Sequence, residues 1–280
     1  MSGKTYHFDL LHEALKEDIG AGDLTSEATV PVELTGEGRI YSRQAGILAG
    51  TEITREAFHI VDPKLKVKID FRDGDQVGPQ ETVMVIEGQI RSILSAERVA
   101  LNFLGRLSGI ATLTGKYVEH TRDTNARIID TRKTTPLLRR FEKAAVVAGG
   151  GENHRMGLYD MVLIKENHVR AAGGIQNAVR ATEAYLKERG TAVKIEVETR
   201  NLDEIHEAIC CNIQRIMLDN MTVPEIKEAV KLINRQVEVE VSGGVNLENV
   251  REIALCGVDY ISVGAITHSA PVFDFSLLID

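Results

Sequence analysis

From Ala126 onward the chain alternates short apolar runs with segments of helical periodicity, and that alternation limits its architecture more than any other feature. The strand-like runs are Arg127–Asp130, Met161–Lys165, Lys194–Glu198, Arg215–Asp219, Val237–Val241 and Tyr260–Val263. Helical runs separate them at Leu137–Val147, Ile175–Glu188, Leu202–Cys211, Val223–Ile233 and Leu247–Leu255. Repeated strand–helix–strand units imply a parallel sheet with right-handed crossovers. Six visible strands are too few for an eight-unit barrel, so an open or incomplete α/β barrel is expected.

The first part of the chain has a different pattern. Asp9–Asp18 has helical spacing of leucine and alanine, and the glycine-containing IGAGDLTSE after it reads as a loop. Short β-like pieces follow at Gly38–Ser42, Gly46–Ala49, Lys66–Phe71 and Thr82–Glu87, with a helix over Glu52–Val61 among them. Turn signals at Asp62-Pro63, Asp73-Gly74 and Gly78-Pro79 punctuate them. Ser92–Thr121 is the longest helical stretch, and Gly105 and Gly109 are expected to weaken or interrupt it. The expected organisation is an N-terminal α/β domain over 1–112, joined by the apolar tail 269–280, and a barrel over 113–268.

The barrel's first two strand runs end in cations: Arg132 and Lys133 after one, Lys165 after the other. Between them lies Gly149–Gly151, followed by His154 and Arg155. The whole chain carries a formal net charge of −8, so this local cationic cluster reads as a pocket for a small polyanion. The same overall charge argues against a broad nucleic-acid-binding surface. His154 and Arg155 follow a glycine loop, and by sequence alone they read either as ligands or as a solvent-exposed pair.

Strand parity sorts the remaining charges. In KIEVE and VEVEVS the valines and isoleucines share one face, and Lys194, Glu196, Glu198, Glu238, Glu240 and Ser242 share the other. In RIMLD, Ile216 and Leu218 oppose Arg215, Met217 and Asp219. The branched face must meet helices, so the charged face looks into the barrel. Lys194, Glu196, Glu238 and Glu240 fit an internal ion network. Glu198 and Asp219 end their strands, which is the catalytic side. Ser242-Gly243-Gly244 and Val263-Gly264-Ala265 end consecutive strands, with a helix expected to begin near Asn246. Glycines at such points let backbone N–H groups approach a phosphate.

Other function classes lack support. The three cysteines, Cys210, Cys211 and Cys256, show no zinc-like spacing and fit a reduced, cytoplasmic setting. No apolar run approaches membrane-spanning length, and no secretory leader is visible. Dinucleotide, P-loop, GxSxG and HExxH motifs are absent.

Several segments resemble quinolinate phosphoribosyltransferases, the carboxylating nicotinate-nucleotide pyrophosphorylases. They include EDIGAGDLT at Glu17–Thr25, SAERVALNFLGRLSGIAT at Ser95–Thr112 and DTRKTTP at Asp130–Pro136. GGGENHRMGLYD at Gly149–Asp160, LIKENH at Leu163–His168, MLDNM at Met217–Met221 and VSGGV at Val241–Val245 continue the likeness.

The resemblance implies an N-terminal α/β sandwich and an incomplete, seven-stranded α/β barrel, one strand more than the pattern reveals. It implies a homodimer, or a dimer-based hexamer, in which Arg98 reaches the neighbouring site. By sequence alone Arg98 is a solvated charge on a helix. The implied reaction joins quinolinate to 5-phosphoribosyl 1-diphosphate with Mg²⁺ as cofactor. It yields nicotinate mononucleotide, pyrophosphate and CO₂, in NAD biosynthesis. Arg132, His154, Arg155 and Lys165 would bind the diacid, and Lys133 and Thr134 the diphosphate or ribose. Ser242, Gly243, Gly244, Val263, Gly264 and Ala265 would bind the 5′-phosphate. Lys133, Lys165, Glu198 and Asp219 would be catalytic, with Glu198 and Asp219 as Mg²⁺ ligands. A molybdenum-associated paralogue acting on another aromatic acid is the alternative within the same fold.

Overall fold

A computed structural model describes residues 3–280. Five strands precede the long helix: β1 (Thr35–Ser42), β2 (Gly46–Ile47), β3 (Lys66–Ile69), β4 (Gln76–Val77) and β5 (Thr82–Gln89). Six follow it: β6 (Arg127–Ile129), β7 (Val162–Ile164), β8 (Ile195–Thr199), β9 (Arg215–Asp219), β10 (Glu238–Ser242) and β11 (Tyr260–Ser262). The chain ends in β12 (Phe275–Ile279). Two compact units result. One comprises Met1–Leu113, Thr135–Gly150 and Ala270–Asp280, and the other Thr114–Thr134 and Gly151–Ser269.

The first unit is built on an antiparallel sheet of order β12-β1-β5-β3. The C-terminal tail supplies its edge strand, with Ile40 opposite Leu277 on one side of β1 and Met84 on the other. Helix Ile90–Thr121 lies close over β1, because a Cβ at Gly36 would meet Ile90 Cδ1 at 2.9 Å and one at Gly38 would meet Ile93 Cγ2 at 3.0 Å. That helix runs unbroken through Gly105 and Gly109, contrary to expectation. The glycines admit the tail. A Cβ at Gly109 would lie 2.0 Å from the Pro271 carbonyl oxygen, and Phe273 N–H donates to the Gly105 carbonyl at 2.9 Å. IGAGDLTSE also departs from its reading as a loop. It contains helix Leu24–Thr29, capped by Asp23, which accepts from Ser26 N–H at 3.0 Å.

Residues 135–150, counted with the barrel in sequence, cluster with the first unit. Their helix, Arg139–Ala148, is held there by Glu142. Its carboxylate accepts from Arg106 at 2.8 Å and from the Thr135 backbone N–H at 3.0 Å.

The second unit is a parallel sheet of order β6-β11-β10-β9-β8-β7. A single parallel bridge between Ile129 and Glu152 extends it beyond β6, so six full strands and one bridged residue stand where the resemblance implies seven strands. The helices between the strands bury one face against the sheet: Ile226, Ala229 and Ile233 of Val223–Ile233 are fully buried. A capping box between Thr222 and Glu225 starts that helix. Two short helices have no counterpart in the sequence pattern, Glu166–Ala172 and Ala265–His268. The helix expected near Asn246 begins only at Val250. Asn249, just before it, donates through Nδ2 to the Gly244 carbonyl at 3.0 Å.

Candidate active site

Strand pleating delivers the expected charges to the barrel interior. Glu196 and Glu240 are fully buried, and Glu198 and Arg215 nearly so. A cavity of about 500 Å³ opens at the C-terminal ends of the strands. Arg132 and Lys133 border it from the end of β6, Lys165 from β7, Glu198 from β8, Asp219 from β9, and Ser242, Gly243 and Gly244 from β10. His154 and Arg155 also border it. A larger cavity, about 740 Å³, opens at the strand beginnings around Arg127, Lys194, Arg235 and Glu238. In barrels of this kind the chemistry lies at the strand C-termini, so the smaller cavity is the candidate site.

Lys165 and Glu198 form an ion pair across the ends of β7 and β8. The Glu166 backbone N–H also reaches Glu198, at 3.5 Å. Asp219 Oδ2 accepts from Asn220 Nδ2 at 2.9 Å and lies 3.9 Å from Arg200 Nε. Burial, and after it the neighbouring Arg132, pull the Arg155 guanidinium below its usual pKa. Arg155 Nη1 donates to the Met161 carbonyl at 3.2 Å.

The phosphate-type loop after β10 is built from left-handed glycines. Gly243 has φ +91° and Gly244 φ +65°. A Cβ at Gly243 would come within 2.3 Å of Asn220 Oδ1, so the loop needs glycine for space as well as conformation.

Beneath this mouth lie two charged layers. In the lower one Arg215 donates to Glu238 Oε2 at 3.2 Å, Lys194 lies 3.0 Å from the same oxygen, and the Arg215 guanidinium stacks 3.8 Å from the Tyr260 ring centroid. This is the internal network that parity indicated. In the upper layer Glu196 and Glu240 face His154 Nε2 at 3.3 and 3.5 Å. Burial pushes the Glu196 carboxyl up to about 7. Burial, reinforced by Glu196, does the same for Glu240. His154 is therefore not a solvent-exposed loop residue, since its side chain is only 6% exposed.

Four further sequence candidates do not border the cavity. Thr134, Val263, Gly264 and Ala265 are not among its lining residues. Gly264 instead packs on the side chain of Lys133, where a Cβ would meet Lys133 Cδ at 3.1 Å. Arg98 belongs to the first unit, on an exposed face of the long helix, with Glu97 3.8 Å away.

Sequence reasoning missed Asp130. It is fully buried after β6 and accepts from the His154 backbone N–H at 2.9 Å, which orients the segment carrying two site residues. Its place at the end of an apolar run was the available signal. Asn220, beside Asp219 and against Gly243, was also missed.

Comparison with known proteins matches this architecture along nearly its whole length. Residues 23–108 match the quinolinate phosphoribosyl transferase N-terminal domain, and residues 110–278 the C-terminal domain of the same family. The chain belongs to the quinolinate phosphoribosyltransferase family. It is 41% identical over 268 residues to a probable nicotinate-nucleotide pyrophosphorylase (carboxylating) of Bacillus subtilis, covering 96% of this chain and 91% of that one. It is 46% identical over 283 residues to the chloroplastic nicotinate-nucleotide pyrophosphorylase (carboxylating) of Arabidopsis thaliana, covering 95% and 81%. The solved nicotinate-nucleotide pyrophosphorylase of Francisella tularensis superposes with a TM-score of 0.95 at 37% identity, covering 100% of this chain and 98% of that one.

Proposed function

We propose that this protein is a decarboxylating quinolinate phosphoribosyltransferase of NAD biosynthesis, with the cavity at the strand C-termini as its active site. The observation that carries the reading is the grouping of Arg132, Arg155 and Lys165 around one cavity with Glu198 and Asp219. Quinolinate carries two adjacent carboxylates on a pyridine ring. Arginine presents a planar fork that matches a carboxylate bidentately, and two of them beside a lysine suit a dianion. The Ser242–Gly244 loop suits the 5′-phosphate of 5-phosphoribosyl 1-diphosphate, and Lys133 its diphosphate.

The pyridine nitrogen already has a lone pair, so attack on the ribose C1 needs no general base. As the C1–O bond to pyrophosphate breaks, positive charge develops on the sugar. Glu198 and Asp219 stabilise that charge, while Lys133 and Lys165 hold the departing anions. The new C1–N bond leaves the ring nitrogen cationic. It then accepts the electron pair freed when the C2 carboxylate leaves as CO₂, and C2 takes up a proton. No covalent bond to the protein is required.

Glu198 and Asp219 are hard oxygen donors bordering one cavity, which fits Mg²⁺, an ion that uses one or two carboxylates plus water and substrate oxygens. When bound, Mg²⁺ supplies charge neutralisation to the diphosphate. We place the working form as a homodimer, or an assembly of such dimers, in which Arg98 of one chain faces the cavity of the next. The exposure of Arg98 supports that reading. No helix among the described residues is long and apolar enough to cross a membrane, and the three cysteines are unbridged, in keeping with a cytoplasmic enzyme.

The test is pyrophosphate release with quinolinate, repeated with nicotinate and other pyridine carboxylates. Turnover confined to quinolinate is expected. Equal or faster turnover of a monocarboxylate would overturn the assignment.

A further inference from the structure

Both ring nitrogens of His154 face polar groups of the protein. The Arg155 backbone N–H approaches Nδ1 at 2.6 Å. A backbone N–H only donates, so Nδ1 accepts and the ring proton sits on Nε2. Nε2 in turn faces Glu196 Oε2 at 3.3 Å and Glu240 Oε2 at 3.5 Å. Glu240 is itself anchored from β9, where Arg215 Nη1 donates to the same oxygen at 2.9 Å. The segment above is pinned at further points: His154 N–H on Asp130 and Arg155 Nη1 on the Met161 carbonyl.

We propose that Glu196 and Glu240 are positioning residues for the diacid, acting through His154. They fix its Nε2–H tautomer, and the free lone pair of Nδ1 then holds the Arg155 backbone and sets where its guanidinium stands in the cavity. In the other tautomer, Nδ1–H would confront the Arg155 N–H, donor against donor, and a bare Nε2 lone pair would confront carboxylate oxygen wherever Glu196 or Glu240 is ionised. His154 is thus a brace for Arg155. The three groups also lie within 4.8 Å of one another, a spacing that could hold a metal ion. Arg215 already gives Glu240 the cationic partner that such an ion would be. The role rests on reading this cavity as the quinolinate site.

Two double variants separate this role from a merely structural one. Glu196→Met with Glu240→Met removes the acceptors and keeps the volume, and Arg215 keeps its pair with Glu238. Glu196→Gln with Glu240→Gln keeps an acceptor oxygen at each position. The methionine pair is expected to raise KM for quinolinate about 10-fold or more, with KM for 5-phosphoribosyl 1-diphosphate within about 2-fold of wild type. The glutamine pair is expected to keep quinolinate KM within about 3-fold of wild type. Nitrogen-15 NMR of the wild-type imidazoles, with His154 assigned through His154→Gln, should show Nδ1 unprotonated and Nε2 protonated. The methionine pair should lose that preference. A protonated Nδ1 in the wild type, a folded methionine pair with wild-type quinolinate KM, or an equal rise in both KM values would overturn the proposal. The NMR readout needs no turnover. Failure of the wild type to use quinolinate would count against the assigned reaction instead.

Discussion

Lys165 Nζ donates to Glu198 Oε2, and the two residues stand side by side because Ile164 and Val197, one position earlier on each strand, are in register. On the proposed roles, a cation for the substrate and an anion for the sugar neutralise each other until substrate enters. Glu198 is almost wholly buried, so removing Lys165 strands a buried carboxylate, a costly change. Lys165→Ala and Glu198→Ala should each lower kcat/KM by a factor on the order of 10²–10³. The double variant should lose less than the product of the two single losses, because the residues act as a unit. Steady-state pyrophosphate release on all four proteins checks this. Fully multiplicative losses would mean that the two groups work independently.

Gly109 supplies a stability prediction with an unusual sign. In an exposed helix interior, Gly→Ala gains about 1 kcal/mol from propensity. Here the new methyl would lie 2.0 Å from the Pro271 carbonyl oxygen, a backbone atom that cannot swing away. Gly109→Ala should therefore lower the melting temperature by several degrees, a shift of roughly 4 °C corresponding to about 1–2 kcal/mol for a chain of this size. Differential scanning calorimetry decides it, and a raised melting temperature would show that the tail does not press on the helix.

That glycine also shows where sequence reading stops. The strand–helix alternation and parity of KIEVE and RIMLD located Glu198 and Asp219 correctly at the cavity, since both signals are local and periodic. Gly109 reads as a weak point because the atom it makes room for lies far along the chain. His154 is similar. Its loop sequence gives no sign that it is buried, because the burial comes from Glu196 and Glu240 on two strands that are not neighbours. Helix Leu24–Thr29 was within reach, since Asp23 with Ser26 is a capping pattern, but two preceding glycines masked it.

Arg132 and Arg98 test the shared site. Arg132→Ala should fold normally and lose most activity, because a substrate carboxylate loses its partner at a cost on the order of 2–5 kcal/mol. Arg98→Ala should be similarly impaired. Mixing the two inactive chains should restore part of the activity, since one site of each mixed dimer regains both arginines. Kinetics after subunit exchange, with mixed dimers verified by mass spectrometry, provide the measurement. Verified mixed dimers without recovered activity would remove Arg98 from the site.

The β10 loop allows a comparison between adjacent glycines. Gly243→Ala meets both an unfavourable φ of +91° and Asn220 Oδ1 at 2.3 Å. Gly244 has φ +65° and open space around its missing Cβ. Gly244→Asn should be tolerated, because asparagine adopts the left-handed conformation more readily than most residues. Gly243→Ala should raise KM for 5-phosphoribosyl 1-diphosphate about 10-fold or more while leaving KM for quinolinate near wild type. Equal sensitivity of the two substrates would separate this loop from phosphate binding.

Glu240 makes stability depend on pH with a definite sign. Its carboxyl is pushed up to about 7 in the fold, chiefly by burial and then by Glu196, from an ordinary value of 4.5. Between those values the folded state keeps a proton that the unfolded chain releases, so stability falls as pH rises through that window. The contribution is fully present below about 4.5 and is lost once pH passes about 7. Glu240→Gln removes this titration and keeps a neutral, hydrogen-bonding side chain in place. The melting temperature of the variant minus that of the wild type should therefore climb from pH 5 to pH 7 and level off above it, with titrating groups remote from Glu240 cancelling in the difference. Thermal melts of both proteins across that range measure it. A difference that stays flat would mean that Glu240 is ionised throughout, stabilised by Arg215 against its burial.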